Sequence, residues 1–361
     1  LTSNDPRFWI GFQHIPNIGP VRTRLLVNHF GSARNAWEAS ETDLRETGLA
    51  PALCSAIVVG RKQIDLDAEM EKMERAEVRA IVWDSPDYPR LLSHIPSAPT
   101  VLYIKGNYHP ADELAIGIVG TRRATGYGRD MATSISGELA EAGVTVVSGL
   151  AKGIDTWAHQ AALDAGGRTI AVCGCGLDTV YPAVNRRLAA QIVEQGAMVS
   201  EYPVGSPPEA QNFPARNRII SGLSRGVLVI EAPTRSGALI TTNFALEQGR
   251  DVYAVPGSAR SRSSEGCHEL IRSGATLVTS AAHVLEDLNV EAGKTAVQSR
   301  MVLPESETET LLLAHIGAEP RHINELCLDT GIPVHEASGT LLTMELKGLV
   351  RQSGAQHYVR A

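Results

Sequence analysis

Short, unbroken apolar runs recur through the middle of the chain, at 114–119 (LAIGIV), 144–149 (VTVVSG), 169–174 (TIAVCG), 197–201 (AMVSE), 226–231 (GVLVIE) and 252–257 (VYAVPG). Runs this short, with no polar alternation, predict strands buried on both faces. Between them lie stretches of helical period, after Gly126, Asp155, Asn185, Pro214, Ser236 and Glu265. Strand and helix in alternation predict a Rossmann-like α/β core, a doubly wound, mostly parallel sheet covered by helices.

The flanks have a different texture. Residues 1–70 carry only helical patterns and predict a small helical module. Its landmark, IPNIGPVRTRLLVNHFG, sets Gly19 and Pro20 before an amphipathic run. That order fits the hairpin of a helix-hairpin-helix module, which turns backbone N–H groups toward a phosphate. It fits a plain helical hairpin equally. In the bridge, 71–110, AEVRAIVWD and PTVLYIKG predict strands around the turn-rich DYPRLLSHIPSAP, so the core is expected over 71–290. The polar stretch 291–306 reads as a linker. Over 307–361, three helical patterns (ETETLLLAHIG, HINELCLDTG, VHEASGTLLTMELKG) precede a hairpin, LVRQSGAQHYVRA, with its turn around Ser353-Gly354. Three helices and a terminal hairpin are the order of a winged helix.

Composition narrows the function. A length of 361 residues suits two or three domains. A net charge of −7 argues against a polycation that coats nucleic acid, but leaves room for a local basic groove. The five cysteines, Cys54, Cys173, Cys175, Cys267 and Cys327, lack the spacing of a zinc or redox pair. They read as reduced thiols of a cytoplasmic protein. LTSNDPRFWIGF lacks the basic start and apolar run of a signal peptide, and no window approaches a membrane span.

In an open parallel sheet, ligands sit at the carboxyl ends of the strands. Those ends read Gly120-Thr121-Arg122-Arg123, Ser148-Gly149-Leu150-Ala151-Lys152-Gly153-Ile154-Asp155, Gly174-Cys175-Gly176 and Pro233-Thr234-Arg235-Ser236-Gly237. Small residues here allow close backbone approach and offer N–H groups to an anion. Neither GxGxxG nor GxxxxGK[ST] occurs, so no nucleotide cofactor is expected. Two adjacent arginines suit an extended, flexible polyanion better than a small enclosed ligand. FPARNRIISGLSR adds Phe213, Arg216, Asn217, Arg218 and Arg225, an aromatic beside cations, as stacking of a base over a held backbone requires.

Each feature has a plainer counterpart. Arg216 and Arg218 also fit a structural network with Glu201 or Glu231, Phe213 a core position, and Arg123 a solvated one. Ser148, Asp155 and His159 lie close in sequence, but GxSxG is absent. Asp155 reads as a first-turn acid of its helix and His159 as a packed residue. Cys267 and His268, adjacent on a helix, do not face one metal together.

Taken together, DYPRLLSHIPSAPTVLYIKG, IVGTRRATGYG, VSGLAKGIDTWAHQAAL, CGLDTVYPAVN, SEYPVG, FPARNRIISGLS and SGALITTNFALEQGRDVYAVPG closely resemble the DNA-processing protein A family (DprA, also called Smf), almost continuously over about 75–280. The resemblance implies a core that binds single-stranded DNA without catalysis. It implies protection of incoming strands in natural transformation, loading of RecA onto DNA covered by single-strand-binding protein, and a homodimer formed through the core. The family's pocket arginine falls on Arg122 and its phenylalanine on Phe213. The expected DNA site is Gly120, Thr121, Arg122, Arg123, Ser148, Gly149, Lys152, Phe213, Arg216, Asn217, Arg218, Ser236 and Gly237. Some members carry a lysine shortly before that phenylalanine. EAQNFP does not, which shifts weight to Arg216, Arg218 and Lys152. At His268 an asparagine would be expected. The rival expectation is a phosphoribohydrolase-type enzyme of similar layout. It would use Glu231, though the double glycine of such loops is missing from EAPTRSGALITT. In the winged helix, the recognition-helix segment carries Glu336 and Glu345 against Lys347, which suits a protein contact better than a DNA groove.

Overall fold

The computed structural model describes residues 5–290, 306–317, 320–347, 349–353 and 356–360. It divides into two compact units, Leu1–Gly293 and Lys294–Ala361. The expected linker falls, except for Ser306, outside the described residues, as does Gly354 of the expected hairpin turn.

Among the described residues, the first unit opens on six helices: α1 (Pro6–Gln13), α2 (Pro20–Phe30), α3 (Ala33–Glu38), α4 (Glu41–Glu46), α5 (Pro51–Gly60) and α6 (Leu66–Arg75). The short α7 (Arg90–Ser93) lies between β1 (Arg79–Val82) and β2 (Val101–Gly106). The alternating part follows: β3 (Ala115–Val119), α8 (Gly126–Glu141), β4 (Thr145–Ser148), α9 (Ile154–Asp164), β5 (Thr169–Cys173), α10 (Arg186–Gln195), β6 (Ala197–Ser200), α11 (Asn212–Gly222), β7 (Gly226–Val229), α12 (Ala238–Glu247), β8 (Asp251–Ala254), α13 (Glu265–Arg272), β9 (Thr276–Leu277) and α14 (Ala281–Asp287).

The nine strands form one sheet in the order β1-β2-β6-β5-β4-β3-β7-β8-β9. From β6 to β9 every neighbouring pair is parallel. The bridge strands extend this sheet, with β2 antiparallel to β6 and β1 antiparallel to β2. The chain winds outward from β3 to β6, then returns to start β7 on the other side of β3. The winding direction therefore reverses between β3 and β7, and a crevice opens at the carboxyl ends of the strands there.

Both faces are covered, as the continuous apolar runs require. Val147, Val172, Val199, Val227 and Val229 pack with Leu92, Ile219, Ile220 and Ala245 on one side. Ile116, Ile118, Val146 and Leu228 pack with Ile135, Leu139, Ala158 and Val284 on the other. The opening helices have a core of their own, in which Phe12 meets Trp37 edge-on with ring centres 5.1 Å apart. They are also fastened to the sheet. Trp9, Ile10 and Val27 share a cluster with Val101, Tyr103 and Met198, and the Tyr103 hydroxyl donates to Gln13 Oε1 at 2.6 Å. Residue 70, the expected module boundary, lies inside α6, and no division between compact units falls there.

The second unit comprises α15 (Glu307–His315), β10 (Arg321–His322), α16 (Ile323–Thr330), α17 (Val334–Leu346), β11 (Val350–Gln352) and β12 (His357–Arg360). Its strands pair antiparallel in the order β10-β12-β11, and the helices close on Leu312, Leu326, Leu341 and Met344.

Candidate nucleic-acid interface

The loop leaving β3 is fixed at both ends. A Cβ on Gly120 would stand 2.5 Å from Ile154 Cγ1 and 3.0 Å from the Glu231 carbonyl, so glycine alone fits. Thr121 N–H donates to Glu231 O at 2.7 Å, and Ile154 N–H donates to Thr121 O at 3.2 Å. At the far end Thr125 caps α8, its Oγ1 accepting from Gly128 N at 3.1 Å. Glu231 holds Thr125 with both oxygens: Thr125 N–H donates to Oε2 at 2.9 Å and its hydroxyl to Oε1 at 2.8 Å. The carboxylate that an enzyme reading would call on is thus 2% exposed and occupied in anchoring the loop. Arg122 and Arg123 stand exposed at the crest.

Beneath the crest lies a buried polar floor. Asp155, in the first turn of α9, accepts from Gly149 N at 3.1 Å and Ala151 N at 3.3 Å. Arg216, 5% exposed, donates to Gly149 O at 2.8 Å and to Val172 O, and its Nε has no partner. A Cβ on Gly149 would come within 2.7 Å of that guanidinium. Burial pushes the Asp155 carboxyl up, opposed by the Arg216 charge; burial pushes Arg216 down, opposed by Asp155. His159 is held as a neutral ring. Its Nε2 accepts from Leu150 N at 3.3 Å, which leaves the Nδ1 proton for Thr169 Oγ1 at 2.6 Å. Burial lowers its pKa to about 3.

The third wall is aromatic. Phe213 leads α11 and meets Tyr181 with ring centres 5.2 Å apart and planes tilted by 37°. Gly174 makes room for it, since a Cβ there would touch the Phe213 ring at 3.0 Å. Asn217 Nδ2 donates to Gly237 O at 3.3 Å and ties α11 to the start of α12. The cleft is open to solvent and holds about 640 Å³. Four arginines line it, Arg122, Arg123, Arg216 and Arg235, against one carboxylate, Asp155.

Of the expected residues, Gly120, Thr121, Arg122, Arg123, Phe213, Arg216, Asn217, Ser236 and Gly237 line this cleft. Four do not. Ser148 is fully buried and its hydroxyl donates to Ile118 O at 2.6 Å, as a strand interior demands. Gly149 lies under Arg216. Arg218 turns away to Glu201, in a bidentate pair at 2.7 and 2.6 Å, and to Ser97 O at 3.1 Å. Lys152 is exposed just beyond the rim. Of the three cations to which EAQNFP shifts weight, Arg216 lines the cleft but is buried, Arg218 is paired with Glu201, and Lys152 is exposed. Arg235, which sequence reasoning left out, supplies an exposed cation instead. Its signal was present, because it sits in a strand-end loop. Tyr181 was also missed. It too lies in a strand-end loop, the one leaving β5, and reaches Phe213 through the fold. His268, where an asparagine was expected, has Nε2 within 3.0 Å of Gly257 O and serves the scaffold.

The family model described as DNA recombination-mediator protein A matches residues 79–289, more than half of the chain. The chain belongs to that family. The match begins at β1 and ends after α14, so it takes in every residue of the cleft. A second model, the DprA winged helix domain, matches 299–356. Protein Smf of Synechocystis is 37% identical over the full length of both chains. The DNA processing protein DprA of Streptococcus pneumoniae is 50% identical over 55% of this chain and 71% of its own. The solved structure of the pneumococcal protein superposes with a TM-score of 0.70 at 39% identity, over 79% of this chain and 98% of that one. DNA processing protein A from Helicobacter pylori, solved for its single-stranded DNA binding mode, superposes at 0.54 with 28% identity, over 59% of this chain and 96% of that one.

Proposed function

We propose that the cleft holds the backbone of single-stranded DNA and that the protein acts by positioning the strand. The observation that carries this reading is the pairing of three exposed arginines, Arg122, Arg123 and Arg235, with the Phe213–Tyr181 aromatic wall at the point where the sheet reverses. Arginine forks suit phosphate oxygens, and an open ring face suits any base. The Helicobacter relative, named for binding single-stranded DNA, supports the same assignment. The exposed arginines neutralise phosphates, and Phe213 stacks a base. Sequence preference is slight, because neither contact reads a base edge. On this reading the protein works in the cytoplasm as a homodimer. It receives incoming strands in natural transformation and nucleates RecA on DNA covered by single-strand-binding protein.

Anisotropy of a labelled oligo-dT tests the proposal. Wild type binds it more tightly than a duplex of equal length, and Arg122→Ala weakens binding about tenfold, the loss of one charge-assisted phosphate contact. Equal affinity of the variant, or no binding by wild type, rejects the cleft as the site.

A further inference from the structure

Beside the cleft lies a second group of cations that the pocket does not include. Asn185 is buried, and its Nδ2 donates to Leu150 O at 2.9 Å and Thr156 Oγ1 at 3.0 Å. That bond pins the 181–187 turn against the loop that carries Ala151 and Lys152. Tyr181 faces the cleft at one end of the turn. At the other end stand Arg186 and Arg187, both exposed, with Lys152 exposed on the facing loop. Between them Val184 is 70% exposed and Tyr181 49%.

The stability of α10 does not account for the two arginines. They occupy its first turn, where cations oppose the helix dipole, and no acid stands there to offset them. Asn185 spends its side chain on Leu150 and Thr156 and does not cap the helix. Among the described residues, neither arginine has a carboxylate within ion-pair distance.

We propose that Lys152, Val184, Arg186 and Arg187 form an outer ledge that carries the same single strand out of the cleft. The strand passes from the Arg122–Arg123–Arg235 mouth across Tyr181 and along the turn. There the three cations hold phosphates and Val184 lies under a base or sugar. This inference rests on the cleft being the strand site. It adds that the footprint is longer than the cleft and leaves it on the α10 side.

The test uses the full chain and two oligo-dT probes, one of about four nucleotides and one of about sixteen, the span of known single-strand site sizes. Arg186→Ala/Arg187→Ala binds the short probe within about twofold of wild type. It binds the long probe about tenfold more weakly, and its salt slope is shallower by about 1.4, two phosphate contacts fewer. Its thermal midpoint equals or exceeds that of wild type, because the removed charges opposed the dipole. Equal long-probe affinity and slope in variant and wild type overturn the ledge and leave the cleft standing. Equal weakening on both probes also overturns it, since the arginines would then belong to the cleft itself. Failure of wild type to bind either probe overturns the strand reading altogether.

Discussion

Arg122 and Arg123 follow β3; Arg216 and Arg218 sit on α11. All four come from stretches in which small residues and arginines lie side by side, and the structure gives the two pairs opposite work. The β3 loop is anchored through Thr121 and Thr125 to Glu231, so its backbone is rigid while its arginines stay in solvent. On α11 the helix itself packs on the sheet through Ile219 and Ile220, which carries Arg216 inward and sets Arg218 against Glu201. A cation in water offers itself to a ligand; a buried one has already been consumed by backbone carbonyls.

The widest gap between the two pairs is in stability. Arg216→Ala strips Gly149 O and Val172 O of their donor and Asp155 of its neighbouring cation, and costs about 3 kcal/mol or more in denaturant unfolding. Loss of DNA affinity with unchanged stability in that variant would break the comparison. Arg218→Ala leaves Glu201, only 14% exposed, without its partner and costs about 2 kcal/mol. Replacing both by apolar residues of similar size recovers most of that.

The neutral floor adds a pH signature. His159 stays unprotonated in the folded chain down to about pH 3, whereas the unfolded ring takes a proton near its ordinary value. Its stabilising contribution is therefore complete above about pH 6.5 and lost as pH falls toward 3, amounting to about 2 kcal/mol between pH 6.5 and 5. His159→Gln flattens that part of the stability–pH curve. On the ligand side, Phe213→Ala weakens oligo-dT binding by about 1–3 kcal/mol, the worth of one stacked base. The smallest stability effect belongs to the crest. Arg122→Ala changes unfolding free energy by no more than about 0.5 kcal/mol, as an exposed substitution should.

The division between what was and was not legible in the sequence follows the same physics. The six strands β3 to β8 of the alternating core announce themselves, because burial on two faces leaves an uninterrupted apolar run. β9 does not, since Thr276 and Leu277 are both exposed and two residues carry no period. The bridge strands were readable as strands, but their place in the sheet depends on pairing with β6, nearly a hundred residues on. At the site, strand-end loops pointed to Arg122 and Arg123, and contained Arg235 as well. Nothing local distinguishes Arg216 from Arg122, because burial is decided by which side of α11 meets the sheet. Nor does Ser148 declare that its hydroxyl is spent on Ile118 O. In the second unit, α17 keeps the acidic character read from sequence. Glu345 accepts from Gln352 N at 3.0 Å, and Lys347 pairs with Glu309 at 2.8 Å.

The division of labour among the arginines is tested most directly by the salt dependence of oligo-dT binding in Arg122→Ala/Arg123→Ala/Arg235→Ala. Each phosphate contact on a single strand contributes about 0.7 to the slope of log affinity against log salt, so the triple variant should lose about 2 from the wild-type slope while unfolding at the same denaturant concentration. A wild-type slope in the variant, with binding still measurable, would contradict the account and place the strand elsewhere on the molecule.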